Sequence, residues 1–161
     1  MKATHLFAAL SAVTLTLGSA FGTAAEGWIT DLDAAKKQAA AEKKDILIDF
    51  TGSDWCIWCK RLDGEVFSKD EFKKGVKDKF VLVSLDYPQD KEKAGVSEEM
   101  AKKNAELAKT FAIKGYPTIL LVDSEGKPFA ATGYQEGGPD KYVTHLDELR
   151  AKKATSDEAF D

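Results

Sequence analysis

Both cysteines of this 161-residue chain stand in one short segment, Trp55-Cys56-Ile57-Trp58-Cys59. Two thiols separated by two residues form a C-x-x-C pair, and on a helix they would lie on the same face, about 5–6 Å between Cβ atoms. That distance allows a disulfide bond with modest adjustment of the turn. Because the chain holds no third cysteine, the pair predicts a self-contained dithiol–disulfide switch, and thiol redox chemistry is the first hypothesis.

The residues before the pair predict a strand and a turn, and the pair itself opens a helix. Residues 46–50 (Ile-Leu-Ile-Asp-Phe) form a short apolar run typical of a buried strand. Residues 51–54 (Thr-Gly-Ser-Asp) have turn chemistry, and a helical phase begins at Cys56. There the thiol would face unpaired backbone N–H groups and the positive end of the helix dipole, which lower its pKa from the usual value of about 8.5.

The two cysteines are therefore expected to have different roles. Cys56, at the helix N-terminus, is predicted to attack a target disulfide as a thiolate. Cys59 lies one turn deeper on the packed face, where it is less hydrated and keeps its proton longer. It would then resolve the mixed disulfide by attacking Cys56.

Metal-binding, haem-binding and purely structural uses of the pair are the alternatives. A zinc site needs about four ligands, and beyond the first 25 residues His145 is the one histidine. Covalent haem attachment needs a histidine directly after the second cysteine, where this chain has Lys60. No metal and no cofactor are therefore expected. An inert structural disulfide remains the competing hypothesis for an exported protein, although so short a loop constrains the unfolded chain weakly.

Residues 1–25 are predicted to be a secretory signal. Lys2 supplies a positive start, residues 6–17 form an apolar stretch, and small residues follow at 20–25. The stretch is too short and too interrupted for a transmembrane anchor, which needs about 20 apolar residues. We therefore expect export to an oxidising compartment, the periplasm in a Gram-negative bacterium and the medium otherwise.

The remaining chain is long enough for one domain, which we place at residues 26–152, followed by a polar and frayed tail at 153–161. The net charge of −4 and the lack of basic clusters argue against nucleic-acid binding. No later apolar run reaches membrane-spanning length, so no stable membrane insertion is expected after removal of the signal.

Helix and strand signals alternate along this domain. A first helix is predicted from an N-cap at Thr30 to about Lys44, and further helices at 97–111 and 138–152. Strands are predicted at 46–50, 80–85, 119–122 and 129–132. This order predicts an α/β fold, with a mixed sheet that carries helices on both faces.

The helix that begins at Cys56 is expected to change near Gly64, which weakens or bends helices. Ser68 and Glu71 fit a capping box, and Phe67 and Phe72 fit a hydrophobic staple. A new helix is therefore predicted to start with Ser68 as its cap.

Taken together, these segments resemble the thioredoxin family over about residues 31–149. The resemblance rests on the strand at 46–50, on Trp-Cys-x-x-Cys-Lys at 55–60 and on Gly-Tyr-Pro-Thr at 115–118. The lead-in Thr-Gly-Ser-Asp-Trp-Cys is most similar to exported bacterial thioredoxin-like proteins and to the thiol-reducing domains of periplasmic electron-transfer systems. The resemblance implies a thioredoxin-like fold, with a central mixed β-sheet flanked by helices on both faces.

The resemblance also implies roles for matching residues. Pro117 would be a cis-proline that faces the dithiol, and Tyr116 would offer backbone hydrogen bonds to an extended substrate. Asp49 would be the buried acid that exchanges a proton with Cys59, since burial raises the pKa of a carboxyl into the range of a base near neutral pH. An ordinary loop proline and a surface aspartate at a strand end are the alternatives.

The residues beside the cysteines are predicted to contact the substrate. Trp55 is expected to pack next to the site, and Trp58 is either a substrate-contacting surface or a lid over the sulfurs. The Ile57-Trp58 pair differs from the Gly-Pro of thioredoxin and contains no histidine, which argues mildly for a reducing couple. The predicted substrate-binding residues are Trp55, Ile57, Trp58, Tyr116 and Pro117.

The leading functional hypothesis is an exported thiol:disulfide oxidoreductase that reduces protein disulfides. Its partners would be disulfide-bearing or dithiol proteins, with a membrane electron donor to restore the dithiol. A disulfide oxidase or isomerase is the enzymatic alternative. A non-catalytic thioredoxin-like module that docks through the surface around Trp58 and Tyr116 is the alternative from a different class.

Overall fold

Five strands form one mixed sheet at the centre of the described chain. The computed structural model describes the backbone of residues 27–158 and the side chains of residues 27–153, so the predicted signal at 1–25 lies outside the described residues. The strands are β1 (Trp28–Ile29), β2 (Asp45–Thr51), β3 (Phe80–Asp86), β4 (Thr118–Val122) and β5 (Pro128–Thr132), in the order β1-β3-β2-β4-β5. The first three are parallel, β4 is antiparallel to β2, and β5 is antiparallel to β4.

Helices cover both faces of this sheet. They are α1 (Leu32–Glu42), α2 (Ile57–Leu62), α3 (Asp70–Val76), α4 (Glu98–Thr110) and α5 (Gly138–Glu158), with a π-helical turn (Asp63–Phe67) between α2 and α3. Side chains of α1 and α4 pack on one face, and those of the π-helical turn, α3 and α5 pack on the other. The predicted α/β fold with a mixed, doubly covered sheet is confirmed.

Strand β2 is the central strand, and its sequence explains why. Ile46, Leu47, Ile48 and Phe50 are completely buried, because both faces of the strand are covered, and the strand therefore needs a continuous apolar run rather than an alternating one. Successive side chains point to opposite faces, so Asp49 shares the face of Leu47, which packs against the π-helical turn, α3 and α5. A carboxyl is thus placed in the middle of the sheet.

Helix α1 is capped by Asp31, so the predicted cap at Thr30 is wrong by one residue. The Oδ1 atom of Asp31 accepts the N–H of Ala34 at 2.9 Å, and its Oδ2 accepts Lys103 Nζ at 2.8 Å. A carboxylate at this position also interacts favourably with the positive end of the helix dipole. These contacts hold the pKa of Asp31 below its usual value, the Lys103 hydrogen bond contributing most.

The predicted cap at Ser68 is also wrong. The Ser68 N–H donates to Asp63 O at 2.9 Å and thereby closes the π-helical turn, and its backbone dihedral angles are helical. Helix α3 instead begins after Lys69, which provides no side-chain cap. The rings of Phe67 and Phe72 do pack together, 4.9 Å between centroids, and the π-helical turn forms at Gly64, where a change of the helix was expected.

The two ends of the described chain differ from the prediction. The two-residue strand β1, which was not predicted, pairs with Leu82 and Val83 of β3. Helix α5 continues to Glu158 rather than ending near Lys152, so most of the segment predicted as a frayed tail is helical. No helix between residues 27 and 158 combines the length and the apolar character that a membrane span requires.

Candidate active site

The turn after β2 delivers the two cysteines to the start of α2, where they form a disulfide bond. Cys56 is the N-cap residue of α2, and its Cα lies 5.3 Å from the Cα of Cys59. The Cys56 N–H donates to Gly52 O at 2.9 Å, which closes the turn. The Cys59 N–H donates to Cys56 Sγ at 3.2 Å. A sulfur thus takes the place that a side-chain oxygen usually has at an N-cap, and negative charge on it is stabilised there.

The two cysteines do not differ in burial as expected. Each is 4 % exposed in this oxidised form, whereas Cys56 was predicted to be the more hydrated of the two. The disulfide bond ties both sulfurs together under the surface, so their environments become similar. A reaction partner must therefore approach closely to reach either sulfur.

The surface around the disulfide is apolar. Trp55, Ile57 and Trp58 are 42 %, 64 % and 47 % exposed, and they are the large hydrophobic side chains that stand exposed within residues 27–153. We call these three residues the apolar rim. Clustered exposed apolar side chains mark interaction sites in soluble proteins, so the rim is a candidate contact surface next to the disulfide.

Trp55 connects the cysteine segment to the loop before β4. Its indole N–H donates to Tyr87 O at 2.8 Å, and its ring forms an edge-to-face contact with the Tyr116 ring, 5.6 Å between centroids. The Tyr116–Pro117 peptide bond is cis. Trp55, Tyr116 and Pro117, which were predicted to be site residues, are therefore brought together in space.

Asp49 is a buried residue of β2 that lines the same cleft as Cys59. It is 8 % exposed, and its Oδ1 atom has no hydrogen-bond partner within the described structure. Burial, and secondly the negative charges of Asp63 and Asp86, raise the pKa of Asp49 to about 8. The alternative of a surface aspartate is therefore wrong.

One cleft joins Asp49 to Cys59. It has a volume of about 230 Å³, and its lining residues are Asp49, Thr51, Ser53, Cys59, Lys60, Asp63 and Ser84. The cleft is large enough for water, which occupies about 30 Å³ per molecule in the liquid. The Asp49 carboxyl and Cys59 therefore border the same space. No group of three or more metal-ligating side chains is found among the described residues.

Comparison with known proteins agrees with this geometry. Residues 32–150 match the family model of the thioredoxin-like domain. The chain belongs to the thioredoxin-like family. The predicted family membership and the predicted fold are thereby confirmed.

The relatives of this thioredoxin-like chain are thiol:disulfide proteins. It is 34 % identical over 112 residues to the disulfide bond reductase DsbH of Chlamydia pneumoniae, covering 70 % of this chain and 66 % of that protein. It is 30 % identical over 111 residues to the thiol:disulfide interchange protein DsbD of Yersinia pestis, of which it spans 16 %. A solved structure of a DsbH oxidoreductase aligns with a TM-score of 0.70 and 29 % identity over 86 % of this chain and 90 % of that one. The chain is therefore a homologue of DsbH- and DsbD-type thiol:disulfide oxidoreductases.

Sequence reasoning missed three residues of this thioredoxin-like site. Arg61 and Tyr134 contact the Trp58 ring, and Glu65 binds both Arg61 and Tyr134. The spacing of Arg61 and Glu65, four residues apart on a helix, was an available signal for an ion pair. No local signal connects them to Tyr134, which follows β5 much later in the chain.

Gly52 is expected to tolerate no side chain. A Cβ atom at Gly52 would lie 2.4 Å from the Trp55 ring, so Gly52→Ala must displace the indole and break its hydrogen bond to Tyr87 O. We expect a loss of about 1–3 kcal/mol in the free energy of unfolding, measured by denaturant titration, together with a changed tryptophan emission. Gly64→Ala is the matched control, because apart from its chain neighbours and its own helix backbone no atom lies within 4 Å of the added Cβ. Equal stabilities of Gly52→Ala and the wild type would contradict the close packing of Trp55.

Proposed function

We propose that this protein is an exported thiol:disulfide oxidoreductase that reduces disulfide bonds in other proteins. The observation that carries the proposal is the Cys56–Cys59 disulfide at the start of α2, with the Cys59 N–H directed at Cys56 Sγ. The relative named disulfide bond reductase supports the reducing direction. Neither residue between the cysteines is a histidine, whose positive charge would stabilise the Cys56 thiolate and favour an oxidant.

The first half of the proposed reaction is attack by reduced Cys56 on a substrate disulfide. The Cys56 thiolate bonds to one substrate sulfur, the substrate S–S bond breaks, and the other substrate sulfur leaves as a thiolate that takes up a proton. Before the attack, the Cys59 N–H stabilises the negative sulfur of Cys56. The product is a mixed disulfide between Cys56 and the substrate.

The second half is resolution by Cys59. The Cys59 thiol loses its proton to the ionised Asp49 carboxylate across the shared cleft, and the resulting thiolate attacks Cys56 Sγ and breaks the mixed disulfide. The second substrate sulfur leaves as a thiolate and takes up a proton, as Asp49 releases the proton that it accepted. Two electrons and two protons have then passed to the substrate, and Cys56 and Cys59 form a disulfide. A dithiol donor must reduce this disulfide before the next cycle, and we assign that step to a membrane electron donor.

Substrate contacts are assigned to the apolar rim and to the loop at Tyr116 and Pro117. The two elements meet through the Trp55–Tyr116 ring contact. An extended substrate segment that forms hydrogen bonds with the Tyr116 backbone would present its disulfide to Cys56. Export is proposed from residues 1–25, whose charge and apolar pattern is that of a secretory signal.

Insulin reduction tests the catalytic part of this proposal. With dithiothreitol as the electron source, the wild-type protein is expected to accelerate precipitation of the insulin B chain well above the rate with dithiothreitol alone. The Cys56→Ser variant is the control and is expected to show only the uncatalysed rate. A wild-type rate equal to that of Cys56→Ser would contradict the proposal.

Equilibration with glutathione buffers then tests the direction. We expect a reduction potential nearer the value of about −270 mV for thioredoxin than the value of about −120 mV for DsbA. A potential at the upper end of that range would reassign the protein as an oxidase or isomerase.

A further inference from the structure

The Trp58 ring, although 47 % exposed, is held by contacts to two other side chains. It packs against the Tyr134 ring with 5.2 Å between centroids and an interplanar angle of 45°. The Arg61 guanidinium lies 5.1 Å from the centroid of Trp58 and 5.1 Å from that of Tyr134. Arg61 therefore interacts with both rings at once, at distances suited to cation–π attraction.

Glu65 completes this arrangement. Its Oε1 accepts Arg61 Nε at 2.9 Å, and its Oε2 accepts the Tyr134 hydroxyl. The Tyr134 hydrogen bond and then the Arg61 hydrogen bond hold the pKa of Glu65 below its usual value. We call Trp58, Arg61, Glu65 and Tyr134 the Trp58 cluster. Within the cluster, the Arg61 guanidinium is paired with Glu65 and contacts the Trp58 and Tyr134 rings.

The Trp58 cluster connects two segments that border the disulfide. Trp58 and Arg61 belong to α2, which starts at Cys56, and Glu65 belongs to the π-helical turn. Tyr134 lies in the loop between β5 and α5. A lid must move to admit a substrate. The Trp58 ring is instead held in place by Tyr134 of a second loop and by the neighbouring Arg61 cation. The cluster therefore favours a fixed contact surface over a lid.

We propose that Arg61 is a positioning residue, which holds the Trp58 indole in one orientation as a contact surface for polypeptide substrates of the Cys56–Cys59 centre. The inference rests on the proposed disulfide-reductase function. A side chain that is already ordered loses less conformational entropy when a partner binds. Arg61 should thus lower KM for a protein disulfide, while the reaction with a small dithiol, which needs no broad contact surface, should not depend on it.

The variant Arg61→Met keeps the apolar stem of the side chain and removes its charge. We expect KM for insulin to rise roughly two- to tenfold, which is the range for ordering one side chain, with kcat little changed. Arg61→Lys retains a cation and should recover part of the loss. The rate at which dithiothreitol reduces the Cys56–Cys59 disulfide should stay as in the wild type. Lys37→Met, on the exposed side of α1, is the matched control for loss of one positive charge.

A double-mutant cycle with Trp58→Ala shows whether Arg61 acts through the indole. In the Trp58→Ala background, Arg61→Met should have no further effect on KM. Nuclear Overhauser contacts between the Trp58 and Tyr134 rings should be present in the wild type and weaker in Arg61→Met. Contacts between the other aromatic rings should be unchanged in Arg61→Met, whereas an unfolded variant would lose them all.

Three results would overturn the inference: an unchanged KM in Arg61→Met, an equal rise of KM in the Trp58→Ala background, or a parallel loss in the dithiothreitol reaction. The second would mean that Arg61 touches the substrate directly, and the third that it acts on the disulfide itself. A wild-type protein without insulin reductase activity would instead contradict the proposed function. The ring contacts in Arg61→Met would then still decide whether Arg61 positions Trp58.

Discussion

Replacing Cys59 with serine is expected to leave the protein covalently joined to its substrates, close to one substrate per molecule, and to abolish turnover. Cys56 keeps its place at the start of α2 in this variant and can still attack a substrate disulfide. The mixed disulfide then persists, because no second thiol is available to attack Cys56 Sγ. Insulin reduction by Cys59→Ser should therefore fall to the rate of dithiothreitol alone.

The adducts are measured by incubating reduced Cys59→Ser with an extract of exported proteins and separating the products on non-reducing gels. Bands that disappear with dithiothreitol identify the substrates by mass spectrometry. Cys56→Ser is the matched control, since it retains one thiol of the pair but lacks the sulfur at the N-cap. If Cys56→Ser formed as many adducts as Cys59→Ser, the proposed division of roles between the two cysteines would be wrong.

Replacing Asp49 with asparagine is expected to stabilise the protein, and increasingly so at higher pH. The pKa of Asp49 is raised from 3.8 to about 8 in the fold, so the folded protein keeps a proton that the unfolded chain releases between these values. The contribution of Asp49 to the stability of the wild type is therefore largest below pH 4, and it is lost as the pH rises towards 8. Asparagine does not ionise and removes this dependence.

The difference in the free energy of unfolding between Asp49→Asn and the wild type should grow by roughly 4–5 kcal/mol from pH 4 to pH 8. Denaturant titrations of the oxidised proteins across this range measure it. Glu106→Gln, which removes one exposed acid of α4, is the control for a general charge effect. A difference that does not change with pH would mean that Asp49 is ionised in the folded protein.

The same variant should slow resolution of the mixed disulfide. Without the Asp49 carboxylate, Cys59 loses its buried proton acceptor, and loss of general-base assistance costs about a hundredfold or more in rate. In the wild type, the rate of resolution should rise with pH through the Asp49 pKa, and in Asp49→Asn this rise should be absent. Stopped-flow measurement of thiol release from a preformed mixed disulfide separates this step from the first attack.

Local signals were sufficient for most elements and failed at helix ends. The apolar run at 46–50 predicted β2, since a strand buried on both faces needs apolar residues throughout. The predicted caps at Thr30 and Ser68 were wrong, because other hydrogen bonds formed at both helix starts. Asp31 gained a second partner in Lys103, and the Ser68 N–H was used by the π-helical turn. The Lys103 contact is distant in sequence, whereas the Ser68 hydrogen bond is a local one that the capping-box pattern does not encode.

The amino-acid sequence by itself determined that this protein carries a two-cysteine switch at a strand–turn–helix junction, because spacing and helix geometry act over a few residues. The tertiary structure alone decided what surrounds that switch. It buried Asp49 at a cleft that Cys59 also lines, covered both cysteines to the same extent, and brought Tyr134 onto Trp58 and Tyr116 onto Trp55. Burial and ring contacts depend on which segments the sheet order places side by side, and no local spacing encodes that order.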